Sequence, residues 1–483
     1  MILVLEASTA SAKALLFDPR KAAAVKMAGA VYPYEVSHLG GVAGAQDARA
    51  VFSLLVTLGR EMADGADIEA VVPTGTFHSM LVCDKAMAPV TPAFTWEYAG
   101  AAATAAELRR SPEYTERYYH RTGCMVHALY PAFQLLHLKR EGFCFSDIAL
   151  FTQSGYHFWR LTGERRETRS TISGSGLLNT HRREYDGELL AEIGVVAGQL
   201  GHLADYRETV PLSAEGARLL GVKSGIPVVP SYPDGALNQV AAGALVPGIM
   251  TCSIGTSAAL RLSVSSPFIP ETPSTWCYLS PVSWMIGAAT NGACNCVDWA
   301  KNNLFPHSSY AEVEKEPIDF SQAPFFLPFL FGERCPGWLD SRQGGFLRLR
   351  ASHSAKDMYF SVLEGILFNL YQCFESLCGI AGSPRQIQLS GGILNSPVWK
   401  QMCADIFGQE MNCAKISQAS LLGGALVGMA AIGYLDDLAS YKVETREIVT
   451  PDAARHGLFA ERYRTYLELY HQEYHEEMPC AAA

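Results

Sequence analysis

No apolar run in the 483-residue chain reaches the length of about 18 residues needed to cross a bilayer; Gly, Pro or a charge interrupts each one. No membrane span is therefore expected. The opening Met1-Ile2-Leu3-Val4-Leu5-Glu6 has no basic n-region, and no secretory signal is expected. Charge is sparse at 18%, and acids outnumber bases 48 to 38, a net of -10. That balance excludes a protein built to coat nucleic acid or anionic lipid. It does not exclude a nucleotide, because backbone N–H groups hold phosphate without net positive charge. The 13 cysteines lack zinc-ribbon spacing, and Cys294-x-Cys296 has no second pair to complete a four-ligand site. Reduced, mostly buried thiols and a cytoplasmic setting are expected. Cys480-Ala481-Ala482-Ala483 formally matches a prenylation box, but the preceding Glu476-Glu477 is acidic, and the match reads as chance.

Several chemistries are missing at motif level. There is no G-x-x-x-x-G-K-[ST], which excludes a P-loop NTPase. Gly174-Ser175-Gly176 lacks the third glycine of a dinucleotide fingerprint. No H-E-x-x-H, G-x-S-x-G or H-R-D is found.

What is present is enough apolar residue, 49%, for two or three sizeable cores. Ile2-Leu3-Val4-Leu5 and Ala14-Leu15-Leu16-Phe17 predict two short strands around the small turn Ala7-Ser8-Thr9-Ala10-Ser11. Asp47 is an acceptable N-cap for a helix carrying Val51, Phe52, Leu54, Leu55, Leu58 and Met62 at helical spacing. A strand at Glu69-Ala70-Val71-Val72 leads to a loop with His78. Such alternation predicts a sheet covered by helices. After Val246-Pro247-Gly248, a plausible linker, the pattern restarts: strand Met250–Ile254, turn Gly255-Thr256-Ser257, strand Ala258–Leu262. Two hydroxyl-rich hairpins suggest a duplication; ordinary turn chemistry explains them equally well. Further on, Ser354 caps a helix, and strand Ile387-Gln388-Leu389 runs into Ser390-Gly391-Gly392 and Asn395-Ser396-Pro397. A strand, a glycine pair and a helix start permit close approach to a nucleotide.

The Gly/Ser/Thr turns suit phosphate. Glu6, ending the first strand, can hold magnesium directly or through water. Asp234 follows the apolar run Ile226–Val229, at the carboxyl end of an expected strand, where open α/β sheets place their chemistry. A carboxylate there can take a proton from a hydroxyl attacking phosphorus; Pro233-Asp234-Gly235 is also ordinary turn chemistry. Trp96 reads either as a sugar-stacking platform or as a buried tryptophan at a domain seam. Glu333-Arg334 predicts an internal ion pair. His127, His353, Cys124 and Cys294 read as structural.

These residues together resemble the FGGY family of carbohydrate kinases, in the superfamily of sugar kinases, Hsp70 and actin. Glu6–Asp18 resembles the opening D-I-G-T-T-S-x-K-x-x-x-F-D, with Glu6 for the aspartate, Ser8 for the glycine and Ala10 for a threonine. Asp234-Gly235-Ala236 with Ser253–Ala258 resembles the catalytic aspartate and second phosphate loop. Leu327–Trp338 resembles L-P-x-x-x-G-E-R-x-P, His353–Ile366 the C-terminal signature, and Leu389–Gly392 with Ser396–Trp399 the adenosine motif. Phe77-His78-Ser79-Met80, Arg121–Cys124 with His127, and Ser170–Asn179 are most similar to gluconate kinases, then xylulose kinases.

The resemblance implies an α/β fold of two similar ribonuclease H-like, actin-like ATPase domains, 1–245 and 246–483, with a nucleotide cleft between them. ATP and Mg2+ would occupy the cleft, and a sugar or sugar acid would sit deeper on the first domain. Asp234 would be the general base, and Glu6 and Asp234 the metal-linked acids. Ser8, Thr9, Ser11, Gly255, Thr256 and Ser257 would grip phosphates; Gly391, Gly392, Asn395 and Ser396 would border the nucleotide. His78, Phe77 and Trp96 would meet the sugar. A homodimer is common in the family. The altered positions Glu6, Ser8 and Ala10 leave a second reading open, a weak or inactive kinase-like binder of sugar or nucleotide. A Cβ at position 8 predicts crowding if that turn needs a positive φ.

Overall fold

The N-terminal apolar run forms β1 (Ile2–Ala7), and β2 (Ser11–Asp18) returns antiparallel to it, with Glu6 opposite Lys13. β3 (Ala23–Val31) extends the sheet as an edge. Asp47 caps α1 (Ala48–Ala63) by accepting from the N–H groups of Arg49 and Ala50, and the helix buries Val51, Phe52, Leu55, Leu58 and Met62 of the expected face, while Leu54 is half-buried at its edge. β4 (Ala70–Gly75) lies parallel to β1. The short β5 (Val210–Pro211), β6 (Pro227–Val228) and β7 (Tyr232–Pro233) complete a seven-stranded sheet of order β5-β6-β4-β1-β2-β3, with β7 also on β4.

Asp234 is not in a turn. It opens α2 (Asp234–Ala241) directly after β7, because Gly235, Ala236, Leu237 and Val240 form a small apolar face that the core buries.

The second half repeats the plan. β8 (Ile249–Ile254) and β9 (Ala258–Val264) are antiparallel; β10 (Trp276–Leu279) and β11 (Trp284–Thr290) extend beyond β9. The order continues with α3 (Cys294–Leu304) and α4 (Ala355–Ala381), the latter started by a Ser354/Asp357 capping box. β12 (Gln386–Gly391), α5 (Pro397–Phe407), β13 (Met411–Ala414), α6 (Ala419–Ala431), β14 (Thr445–Val449) and α7 (Ala453–Glu473) follow. The sheet order is β10-β11-β9-β8-β12-β13-β14. β8 is antiparallel to β9 and parallel to β12, as β1 is to β2 and β4. The computed structural model describes residues 1–316, 318–414 and 418–474; the Cys480–Ala483 box lies outside them. Among the described residues no helix is long and apolar enough to cross a membrane.

One helix crosses between the halves. α6 lies on the first sheet, where Leu421, Ala425, Leu426 and Val427 share a core with Ile2, Val4, Val72 and Leu237. Small residues permit this approach: a Cβ on Gly424 would sit 2.8 Å from Val4 Cγ1, and one on Gly428 2.9 Å from Val72 Cγ2. α7 is strapped to the second domain by Arg462, whose Nη2 donates to Glu364 at 2.7 Å.

Glu333 does not pair with Arg334 as the sequence suggests. It receives the guanidinium of Arg342 and, at 2.8 Å, the hydroxyl of Tyr470. Adjacent side chains on an extended segment point apart, and Arg334 turns instead toward His78.

Candidate active site

The β1–β2 turn is closed internally. The Ser8 N–H donates to the Ser11 carbonyl at 2.9 Å, and the Ser8 hydroxyl reaches the Ser11 carbonyl at 2.8 Å and the Ser11 hydroxyl at 2.9 Å. Ser8 is not among the residues with positive φ, so its Cβ meets no backbone penalty there. The Thr9 carbonyl accepts from Gln46 at 2.7 Å, and the Thr9 hydroxyl accepts from the Trp96 indole at 3.0 Å.

Glu6 is buried on β1, and Lys13 reaches its Oε1 at 3.3 Å from across the hairpin. Its Oε2 is buried without a partner. Burial pushes this carboxyl above its ordinary value; Lys13 and then the Ser420 hydroxyl, on α6, pull it down, and the Asp234 charge pushes it up again. Asp234 accepts from the N–H of Gly235 at 2.7 Å and of Phe77 at 3.2 Å. Burial raises its pKa too, and Arg261 is the largest opposing influence. A carboxylate aimed by two backbone donors, with raised basicity, is suited to accept a proton from a hydroxyl.

Asp234 borders a cavity of about 250 Å³ walled by both halves of the chain: Thr9, Phe77, His78 and Trp96 from the first, Ser257, Arg261, Tyr278 and Arg334 from the second. Phe77 is wedged between glycines, since a Cβ would lie 2.2 Å from its ring at Gly174 and 2.8 Å at Gly235. That wedge fixes the N–H that Asp234 uses. His78 adopts a left-handed φ of 61°. Its Nδ1–H donates to the Gly174 carbonyl, which leaves Nε2 to accept from Arg334 at 3.4 Å. Burial, then the Arg334 charge, hold its pKa well below the ordinary value, so the imidazole is neutral.

A second cavity of about 470 Å³ opens beside α3 and α5, lined among others by Cys294, Val297, Tyr310, Gly392, Asn395 and Ser396. Ser396 caps α5 through the Trp399 N–H at 3.0 Å and donates to Glu314 at 2.6 Å. Gly391 has φ 98°, and a Cβ there would fall 2.2 Å from the Ile254 carbonyl, so only glycine lets β12 end against β8. The Gly255 carbonyl accepts from the Cys294 N–H at 2.9 Å, which ties the second hydroxyl-rich turn to this cavity. Its wall is largely apolar, the surface a nucleoside base needs. The two hydroxyl-rich turns therefore approach one crevice, each contributing a residue, Thr9 and Ser257, to the Asp234 cavity.

The chain matches the model of the FGGY family of carbohydrate kinases over both parts, the N-terminal domain at residues 1–241 and the C-terminal domain at 250–432. The chain belongs to the FGGY family of carbohydrate kinases. It is a phosphotransferase acting on the alcohol groups of carbohydrates with ATP as donor. A gluconokinase of Bacillus subtilis (strain 168) is 27% identical over 422 residues, spanning 82% of this chain and 80% of that one. A xylulose kinase of Escherichia coli (strain K12) is 27% identical over 427 residues, spanning 84% and 85%. The crystal structure of a gluconate kinase from Lactobacillus acidophilus superposes with a TM-score of 0.92 at 25% identity, covering 98% of both chains. The two-domain actin-like architecture and the gluconate- and xylulose-kinase likeness expected from the sequence are both found.

Of the residues singled out from the sequence, Thr9, Phe77, His78, Trp96, Asp234 and Ser257 border the Asp234 cavity. Arg261, Tyr278 and Trp276 also wall the Asp234 cavity. Arg261 carried a signal: it is the single charge within the otherwise apolar and hydroxyl β9 segment Ala258–Val264. Gly255, Thr256 and Gly391 shape backbone near the crevice and are not themselves cavity walls.

Proposed function

We propose that Asp234 is the general base that takes the proton of a sugar or sugar-acid hydroxyl as its oxygen attacks the γ-phosphorus of ATP. The new O–P bond forms as the bond to the β-phosphate oxygen breaks, and ADP leaves. The observation that carries this reading is Asp234 itself, aimed by the Phe77 and Gly235 N–H groups into a cavity that Thr9 and Ser257 also border. Thr9 and the Ser8–Ser11 turn on one wall, and Gly255, Thr256 and Ser257 on the other, hold the phosphates. Gly391, Gly392, Asn395 and Ser396 seat the nucleoside. His78, Phe77 and Trp96 hold the acceptor. Residues 1–245 thus carry the base and the His78, Phe77 and Trp96 wall of the acceptor site, and 246–483 its opposite wall and the nucleotide.

Magnesium fits the donor set. Glu6 Oε2 is a buried acceptor without a partner, and its carboxyl feels the charge of Asp234. Glu6 and Asp234 would hold the ion, which when bound neutralises charge on the phosphates. Among the described residues no three His, Cys, Asp or Glu gather as a metal site, so phosphate oxygens and water would complete the shell. Lys13, by holding Glu6 Oε1, leaves the other oxygen available.

The altered loop supports a working enzyme over an inactive binder: Glu6 is braced by Lys13, and Ser8 sits without a left-handed φ. A cytoplasmic setting agrees with ATP as donor and with the twelve described cysteines as free thiols. The test is a coupled ADP-release assay over gluconate, xylulose, ribulose and glycerol. Acceptor-dependent ADP release is expected with at least one. Nucleotide-dependent thermal stabilisation with no turnover on any acceptor would count against the kinase reading of the site.

A further inference from the structure

The Asp234 cavity carries more positive charge than the reaction's base needs. Arg261 and Arg334 both border it, while Asp234 is its one carboxylate wall and His78 is neutral. Asp234 already accepts two backbone N–H groups. Arg261 makes no ion pair with it. Its Nε and Nη1 are buried without a hydrogen-bond partner, and so is Nε of Arg334. Burying guanidinium N–H groups with no acceptor is strongly unfavourable. Burial is the main influence that lowers the Arg261 pKa; the Asp234 charge opposes it, and repulsion from Arg334 is a smaller influence in the lowering direction.

The strand register locates the surplus. Ala259 and Arg261 stand at period two in β9 and share a face beside the cavity, which Ala258 and Ser257 of the preceding turn also border. The Cα of Arg261 lies about 13 Å of strand beyond that of Ser257. Arg261 is therefore rooted at the end of the cavity away from the phosphate turn, and its side chain reaches back toward Asp234, with Nε 3.3 Å from where a Cβ on Gly235 would lie. The other wall residues there, Trp276 and Tyr278, are stacked rings 4.2 Å apart, and the Tyr278 hydroxyl is occupied by Tyr130 at 2.7 Å. No described group at that end supplies the anion the guanidinium groups lack.

We propose that Arg261, with Arg334, binds the carboxylate of an aldonic-acid substrate and sets a preference for sugar acids over neutral polyols and ketoses. Planar guanidinium forks match carboxylate geometry, and a neutral hydroxymethyl group leaves their N–H groups unpaired. This deepens the proposed function, since it rests on the cavity being the acceptor site. Arg261 is then a specificity-determining residue.

The test compares D-gluconate with D-glucitol, the same carbon chain without the carboxylate, in the wild type, Arg261→Met and Arg261→Lys. The expected result is a gluconate-to-glucitol ratio of kcat/KM that falls roughly 100-fold in Arg261→Met and less in Arg261→Lys, which keeps charge but loses the fork. Gluconate should also raise the wild-type melting temperature without nucleotide, and not that of Arg261→Met. A ratio unchanged within about twofold, or gluconate and glucitol declining in parallel, overturns the proposal. If Arg261→Met does not fold, the Arg261→Lys ratio decides. Turnover of neutral acceptors but not gluconate by the wild type overturns this assignment and leaves the kinase reading standing. Gluconate stabilisation that depends on Arg261, without turnover of any acceptor, keeps the carboxylate subsite and removes the kinase reading. Neither turnover nor stabilisation by gluconate overturns the subsite.

Discussion

The indole Nε1 of Trp96 donates to the hydroxyl of Thr9 at 3.0 Å, joining one wall of the Asp234 cavity to the β1–β2 turn. The same turn is held from behind by Gln46, which donates to the Thr9 carbonyl and accepts from Gln153, both at 2.7 Å. Trp96 thus borders the Asp234 cavity and holds the Thr9 hydroxyl at the same time.

Trp96→Phe keeps a ring and removes the donor. The Thr9 hydroxyl is then free to rotate, and kcat should fall about 5- to 10-fold, the worth of one hydrogen bond. The ADP-release assay at saturating acceptor and ATP measures it. An unchanged kcat would show that Thr9 needs no such orientation.

Asp234→Asn retains an oxygen that can accept from Phe77 and Gly235 but cannot take a proton. A general base contributes roughly 10²- to 10⁴-fold, and kcat should fall by that much with little change in melting temperature. Normal turnover by the variant would remove Asp234 from the role of base. In the wild type, kcat should rise with pH through the Asp234 pKa, which burial places above the ordinary aspartate value.

Gly391→Ala introduces a Cβ 2.2 Å from the Ile254 carbonyl at a φ of 98°. The expected loss is about 2 kcal/mol or more, with a raised KM for ATP because β12 ends at the cavity proposed to seat the nucleoside. Gly379→Ala in α4 is the control: nothing lies within 4 Å of its Cβ position. That substitution should be neutral or stabilise by up to about 1 kcal/mol. Chemical denaturation of both variants checks the contrast.

Glu167 is buried, and burial pushes its pKa from 4.5 to about 7 against the opposing bonds from the Thr152 N–H and hydroxyl, each 2.8 Å. A group whose folded pKa is raised stabilises the protein fully below its unfolded value and loses that contribution as pH rises toward the folded value. Between pH 4.5 and 7 the loss amounts to about 3 kcal/mol. Glu167→Gln keeps both contacts with Thr152 without a titrating proton. Its denaturation midpoint should therefore fall less than that of the wild type over this range. Parallel pH profiles would contradict the shift.

Much of the fold was legible because its signals are local. The β1–β2 and β8–β9 hairpins, the Asp47 and Ser354 caps, and the Gly391-Gly392 pair each state their structure within a few residues. What was illegible depends on distant partners. Glu333 meets Arg342 and Tyr470 rather than its chain neighbour, and Tyr470 lies 137 residues away. Arg334 reaches His78 across 256 residues. Asp234 looked like turn chemistry because Pro-Asp-Gly also starts a helix when the following apolar residues find a core. Arg261 reads as one charge in a strand until the sheet brings it beside Phe77 and Asp234.

The position of α6 bears on how the molecule is made. Its Leu421–Met429 stretch seals the face of β1 and β4, which are among the first strands to leave the ribosome. During vectorial synthesis that face stays open until residue 431 has emerged, so the first lobe cannot complete its core before the second sheet has been made as far as β13. A fragment ending near the midpoint would expose Ile2, Val4 and Val72 to solvent, and splitting this chain into two independently expressed halves would yield an aggregating first piece.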